Sequence, residues 1–412
     1  MLLFGKMHKK WKTDVISASI THLYCLVPVS IDSGSFFLYT GKVLSYNYII
    51  KEKKKRKGKK MEFRKHINQR TNVQQIFQQI VDRGPISRRE LQEQTGFSWG
   101  LISQVTNRLI AEGYVVAEDD LTGAGVGRRA EKLDIASNDY YFIGVDIDSD
   151  GMYAVVTDMK GRLVEQARHS WPEKVCDQVL QMVYSTLDKL MEKYGDKHIT
   201  GIGVSTQGIT DVSRGVSAYI SRIKDWVEVP LRDLLSSRYG VDVAVVHDPD
   251  CLMESERAFG LLKDAQAKDV LLMHYNYYSN SIGMSVLIDG QIYFGHRGRA
   301  AELGYTIVGE NADGKPRLLE EDLIDSNVST QQMCNSVGKA IAVANTLFNP
   351  EIIVLHIPQC TYSQQLANIV EHWIHEASYD TSVSVKISKL EQEAKARGAA
   401  LIMIGRAIDE ME

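Results

Sequence analysis

Residues Ser87–Ile110 read SRRELQEQTGFSWGLISQVTNRLI, and the organisation of the N-terminal part follows from them. Ser87 with Glu90 three positions on is a capping box that starts a short helix. Gly96 stops that helix, and Ser98 caps the next. The second helix sets Ile102, Val105 and Leu109 on one face, the i, i+3, i+7 spacing of a buried stripe. Its other face carries Ser103, Gln104, Asn107 and Arg108, side chains that hydrogen-bond to base edges and phosphates. One bracing helix followed by one polar-faced helix is the pattern of a helix-turn-helix. An ordinary helical hairpin with a solvated face is the alternative. Ser87, Arg88 and Ser98, at the helix starts, complete the candidate DNA contacts on this segment.

The flanks fit the same reading. Asn72–Asp82 has Val73, Ile76, Phe77, Ile80 and Val81 at helical spacing, closed by Gly84-Pro85. After Gly113, Tyr114–Ala117 and Lys132–Ile135 read as two strands joined by the glycine loop GAGVGRR. Such a loop is a wing, and Arg128 and Arg129 at its tip are expected to reach a minor groove or phosphates. A winged helix-turn-helix over residues 61–136, binding a double-stranded DNA operator, is the expectation.

The 412 residues allow two or three domains. Hydrophobic content of 44% and charged content of 24% are those of an ordinary globular protein. A net charge of −4 does not exclude nucleic acid, because an acidic body can mask a small basic head. Five scattered cysteines without a CxxC pair argue for a reducing cytoplasm and against a disulfide framework or zinc cluster. The apolar stretch Leu23–Ile31 is too short to span a membrane. Residues 1–60 match nothing that follows. Their basic run KEKKKRKGKK, just before Met61, is a solvated arm or, since its residues all have purine-only codons, a translated ribosome-binding site. In that second case Met61 is the true start and residues 1–60 are an over-called extension.

From Tyr141 the pattern alternates strands and helices. Phe142–Asp146, Tyr153–Asp158 and Gly161–Gln166 read as a meander, followed by a helix near Glu173–Lys193 and strands at Thr200–Ser205 and Val241–His247. The same opening recurs at Val270–Met273, Gly283–Ile288 and Gln291–Phe294. Two α/β halves imply a duplication with a ligand cleft between two lobes.

These blocks resemble the ROK family, which joins sugar-responsive repressors to sugar kinases. The resemblance runs from about Arg70 to the C-terminus. It is carried by the head, by GVDIDSDGMYAVVTDMKGRLV, by GIGVSTQGITDVSRGVSAYISRIKDWVEVPLRDLL, by HDPDCLMESERAFG and by IGMSVLIDGQIYFGHRGRAAELGY. It implies an α/β two-lobed, actin-like, sugar-kinase-like body over 137–412. Lobe 1 is expected at about 137–247 plus 396–412, and lobe 2 at about 248–395.

The resemblance also locates what has been lost. The family's catalytic base falls on Asp248, which is present. The first phosphate loop, Asp-x-Gly-Gly-Thr in the family, keeps Asp146 but has Asp148, Ser149 and Asp150 in its last three places. Two added carboxylates repel a polyphosphate, and lost glycines block close backbone approach. The second loop, Gly-Thr-Gly-x-Gly in the family, is Ser279-Asn280-Ser281-Ile282-Gly283. The adenosine-side glycines are replaced where NPEIIVL runs into His356-Ile357-Pro358. Phosphoryl transfer and a nucleotide cofactor are therefore not expected.

On the sugar side, Glu302 matches the family's hydroxyl-accepting glutamate. Ala301 and Tyr305 replace its glycine and histidine. The family's zinc cysteines are absent from Gly309–Asp322, so no metal is expected. Arg222, four before Trp226, and His247, before Asp248, replace two asparagines. Arg222, His247, Asp248, Glu302 and Tyr305 are the candidate ligand contacts, and the arginine suggests an anionic or altered ligand. The expected protein is a cytoplasmic regulator, a repressor of carbohydrate-related genes, acting as a homodimer or higher homo-oligomer with a sugar or sugar-derivative effector and no membrane partner. The rivals are an active sugar kinase with a DNA-binding head and a ligand-independent repressor with a vestigial cleft.

Overall fold

The computed structural model describes residues 71–411 apart from 120–130, 137–139, 195–197, 278, 378 and 380. Residues 1–60 and the loop arginines Arg128 and Arg129 lie outside the described residues. The N-terminal unit opens with α1 (Asn72–Arg83), β1 (Ile86–Ser87), α2 (Arg88–Thr95) and α3 (Trp99–Ala111), followed by β2 (Val115–Asp119) and β3 (Glu131–Ile135). The strands pair antiparallel in the order β1-β3-β2. Ser87 and Ser98 are the N-caps of α2 and α3, each accepting a backbone N–H, and Gly96 ends α2 at φ 70°. Each cap contributes about 0.5–2 kcal/mol. Ile102, Val105 and Leu109 are buried against Ile76, Phe77, Ile80 and Leu91.

This unit is seated on the body. Gln74 of α1 donates from Nε2 to the carbonyls of Asp409 (2.7 Å) and Met411 (3.0 Å). Lys160 donates to the Gly84 carbonyl at 2.8 Å and pairs with Asp134. The Tyr114 ring stacks on Tyr140 at 5.7 Å.

The first lobe contains β4 (Tyr140–Ile147), β5 (Gly151–Asp158), β6 (Leu163–Ser170), α4 (Cys176–Lys193) and β7 (His198–Thr206). It continues through β8 (Ile209–Asp211), β9 (Val216–Tyr219), β10 (Val227–Val229), α5 (Leu231–Tyr239) and β11 (Asp242–His247). Helix α6 (Asp248–Phe259) leads to β12 (Val270–Asn276), β13 (Ser281–Ile288) and β14 (Gln291–Ile292). Then come β15 (Ile307–Glu310), β16 (Pro316–Leu318), α7 (Leu319–Ile324), α8 (Thr330–Phe348), β17 (Ile352–His356), α9 (Ser363–Ala377), β18 (Ser384–Ile387) and α10 (Ala394–Asp409).

The two large sheets repeat one plan. The first is ordered β11-β7-β4-β5-β6 and the second β14-β13-β12-β17-β18. In each, a three-stranded antiparallel meander is extended by two parallel strands. Helix α10 returns from the second sheet to lie on β4 and β7. The approach is close enough that a Cβ at Gly144 would stand 1.8 Å from the Ala396 carbonyl, so only glycine fits. Among the described residues no helix is long and apolar enough to cross a membrane.

Candidate functional site

On α3 the buried stripe turns the opposite face outward. Gly100, Gln104, Asn107 and Arg108 are exposed and Ser103 is half-buried. A Cβ at Gly100 would meet nothing within 4 Å, and Trp99 beside it is 53% exposed. Neither residue stands out in the sequence, where nothing marks Trp99 as solvent-facing. Two arginines are held by the protein. Arg88 donates to Thr106 Oγ1 (2.9 Å) and Asn107 Oδ1 (2.9 Å) and pairs with Glu131, bracing α3 against β3. Arg108 pairs with Glu112 at 2.8 Å, and both line a groove with Val73, Tyr114, Ala407 and Met411, where the head meets the body.

The second site lies between the large sheets. Side chains alternate along a strand, so Asp146 shares with Gly144 the face of β4 on which α10 rests. The first turn of α10 therefore brings Lys395 to it. The Lys395 ammonium is 3.0 Å from Asp146, 2.7 Å from Asp148 and 3.8 Å from Asp248, which opens α6. Lys395, Asp146 and Asp248 are buried, and Asp148 is partly buried. Ser205, opposite Asp146 on β7, donates to it at 2.7 Å. Asp150, expected to crowd the same corner, instead points outward to Lys174.

Hydrogen bonds cross from one sheet to the other here. Asn276, at the end of β12, donates to Asp148 at 2.9 Å. The Gln207 carboxamide accepts the Ser149 N–H at 2.9 Å and donates to Ser279 at 3.0 Å and to Ser281. The loops after β4 and β12 are thus joined by one glutamine. His274 and His356, at the ends of β12 and β17, lie with Nδ1 atoms 2.9 Å apart, and His274 Nε2 is 3.8 Å from Asp248. Sequence reading singled out Asp146, Asp148 and Asp248, but not Lys395, Gln207, Asn276 or His274.

The electrostatics follow from burial and from one cation. Burial raises Asp248 to about 7 and Asp146 to about 6, although Lys395 acts against both. Burial works on Asp148 in the same sense, but Lys395 and the Ser149 N–H outweigh it and hold it below the ordinary range. Lys395 is kept charged because the three carboxylates overcome its burial. Burial pushes His356 down to about 3 and His274 well below the usual value, both helped by Lys395. His247 is lowered by burial too, with Glu302 opposing.

Asp248, His247 and Glu302 are close enough to couple, and burial raises Glu302. Asp248 is the first residue of α6, after the N-cap His247. Tyr305 is 52% exposed and couples to Glu302, Glu320 and Tyr219, which places it at the rim. Arg222 is exposed in the turn between β9 and β10 at φ 68°. The segment expected to lack zinc ligands closes through side chains. Arg317 pairs with Asp322 and, at 3.4 Å, with Asp325, while Asn311 donates to Glu321 at 3.1 Å.

Comparison with known proteins agrees with this architecture. The ROK family model matches residues 142–316. The xylose repressor of Bacillus subtilis (strain 168) is 24% identical over 388 residues, covering 84% of this chain and 97% of that protein. A crystal structure described as a ROK family transcriptional regulator, homologous to the E. coli Mlc protein, superposes with a TM-score of 0.66 at 19% identity. It covers 82% of this chain and 96% of that one. The ROK hexokinase from Thermus thermophilus superposes with a TM-score of 0.51 at 20% identity, over 63% of this chain and 97% of its own. The body accordingly has the ROK kinase-like fold, and the chain carries a ROK family domain.

Proposed function

We propose that the protein is a sugar-responsive transcriptional repressor. Its N-terminal unit is read as a winged helix-turn-helix that inserts α3 into the major groove of an operator. The observation that carries this reading is the relative named a xylose repressor, whose similarity spans 84% of this chain and so extends beyond the body. The outward stripe of Gly100, Gln104 and Asn107, with Ser98, Trp99 and Ser103 at its edge, supports it. Arg88 acts as a brace, and Arg128 and Arg129 remain the proposed wing contacts. Two copies reading two half-sites multiply specificity, so a homodimer is the working form.

The effector is proposed to bind between the lobes at His247, Asp248 and Glu302, with Tyr305 at the rim. Two carboxyl groups, both raised by burial, beside a neutral imidazole accept hydrogen bonds from hydroxyls and donate to them, and they offer an anion no cation of their own. An uncharged sugar therefore fits this floor better than the anionic ligand that Arg222 suggested. A Mg-nucleotide does not fit, because Lys395 stands among the carboxylates and Gln207 takes the loop N–H that a phosphate needs. The protein binds sugar and does not phosphorylate it.

The test begins with selection of genomic DNA fragments on the purified full chain, followed by mobility shifts with neutral sugars, sugar acids and sugar phosphates. Sequence-selective retention released by a neutral sugar is expected. Absence of selective retention, or sugar-dependent ADP production, overturns the reading.

A further inference from the structure

The carboxylates at the end of β4 already face a cation, and that cation belongs to the chain. Nζ of Lys395 lies within 4 Å of Asp146, Asp148 and Asp248, which come from the first sheet, the loop after it and the start of α6. Three carboxylates converge on one point, oxygen-only surroundings of the kind a divalent cation prefers, but they stand 2.7–3.8 Å from the ammonium and, among the described residues, no group is set to hold a metal ion. The ammonium takes that point. Asp148 is also held by Asn276 from the second sheet, and Gln207 ties the loop after β4 to Ser279 and Ser281. Ser255 of α6 donates to the Ala394 carbonyl at 2.7 Å, fixing the start of α10 beside the same point. The lysine is thus positioned by the backbone crossing of α6 and α10 as well as by charge.

We propose that Lys395 is a resident cation that stands where a metal-bound nucleotide would and clasps the carboxylates at the end of β4, holding Asp148 where Asn276 of the second sheet donates to it. The join between the loop after β4 and the end of β12 is then set by the chain itself, with no dependence on nucleotide. The part concerning nucleotide rests on the reading of the body as a sensor. The clasp is independent of it.

The experiment asks whether removing the ammonium uncovers a metal site. Wild type and Lys395→Ala are titrated with Mn2+, followed by its paramagnetic resonance signal, and melted with and without Mg2+. Wild type is expected to bind no Mn2+ at this cluster and to melt at one temperature regardless of Mg2+. Lys395→Ala is expected to melt lower, to bind Mn2+ saturably and to regain stability with either cation. Asp148→Asn added to Lys395→Ala is expected to weaken that binding.

Saturable Mn2+ binding by wild type that Asp146→Asn abolishes overturns the proposal. So does a Lys395→Ala chain that melts like wild type and ignores the metal. A Lys395→Ala chain too unstable to purify is replaced by Lys395→Met, refolded from denaturant with and without Mn2+. Recovery that needs the cation supports the clasp, whereas equal recovery, or none in either case, overturns it. None of these readouts uses DNA or sugar, so failure of the repressor reading leaves them intact.

Discussion

Gln104 and Asn107 lie on one helix, about one turn apart, and face solvent. Asp148 and Lys395 are 247 positions apart and meet at 2.7 Å in the interior. Both pairs are polar, yet the physics that fixes them differs. The face of α3 is a by-product of local periodicity: burying Ile102, Val105 and Leu109 forces their neighbours outward. The cluster between the two large sheets is made by tertiary approach, since α10 must pack on Gly144 before Lys395 can reach Asp146. One region is therefore left open to solvent, where the proposed operator would meet it. The other is already satisfied from within.

The largest expected effect separates the two most sharply. Removing one partner of a buried ion pair leaves an uncompensated charge and costs about 3–5 kcal/mol. Lys395→Met is expected to lose stability on that scale, measured by denaturant unfolding. Its loss should be smaller at acidic pH, where Asp146 and Asp248 take up protons. A loss of stability that is the same at pH 5.5 and pH 8 would show that the carboxylates do not drive it.

The next effect belongs to the head. Gln104→Ala is expected to cost about 1–3 kcal/mol at the preferred operator and to relax base choice at one position, with no change in melting temperature. A uniform loss across all DNA sequences would instead make Gln104 a phosphate contact. Read together, the two variants test whether each region can be altered without disturbing the other.

Much of this contrast was legible in the sequence, and the illegible part has a physical reason. The capping residues Ser87 and Ser98, the stop at Gly96 and the buried face of α3 all follow from contacts within a few positions. So do the strand meanders that open each sheet. Arg88 and Arg108 were less legible, because a helical wheel says which way a side chain leaves the helix but not which neighbour it finds. Arg88 turns to Thr106 and Asn107, 18 and 19 positions on. Lys395 could not be read as a member of this cluster at all, since its partners come from β4, the loop after it and the start of α6. Its one local signal is a lysine in the run AKARGAALIMI, where small and apolar residues otherwise prevail.

A third expectation concerns the titration of Asp248. Its native pKa, about 7, lies above the ordinary aspartate value of 3.8, so the native state binds the extra proton between them. The stability this contributes is present at low pH and is lost as pH rises through about 7. His247, His274 and His356 are shifted the other way and are neutral when native, so they lose stability as pH falls below the ordinary histidine value. The two trends offset each other in the total curve, and a difference measurement is needed. Asp248→Asn does not titrate. Wild type should lose ground against it by up to about 1.4 kcal/mol per pH unit between pH 5 and 7, levelling off above. A constant difference across that range would mean that Asp248 is ionised throughout.

The smallest expected effect sharpens the boundary of the DNA face. Arg108 lies 240° around the helix from Ile102 by the 100° step of an α-helix, beside Gln104 but turned toward the body. It pairs with Glu112 across one turn, and the two share a groove with Tyr114 of the head and Ala407 and Met411 of the body. An exposed pair of this spacing contributes about 0.3–0.5 kcal/mol to stability. Arg108→Ala is therefore expected to change operator affinity by less than Gln104→Ala does, and to lower stability only slightly. A phosphate contact would give a different signature: affinity would fall for every sequence, and the salt dependence of binding would drop by about one counterion. Measuring affinity at several salt concentrations for both variants distinguishes the cases. A loss for Arg108→Ala as large as that for Gln104→Ala, with reduced salt dependence, would extend the reading face around α3 to the edge that meets the body.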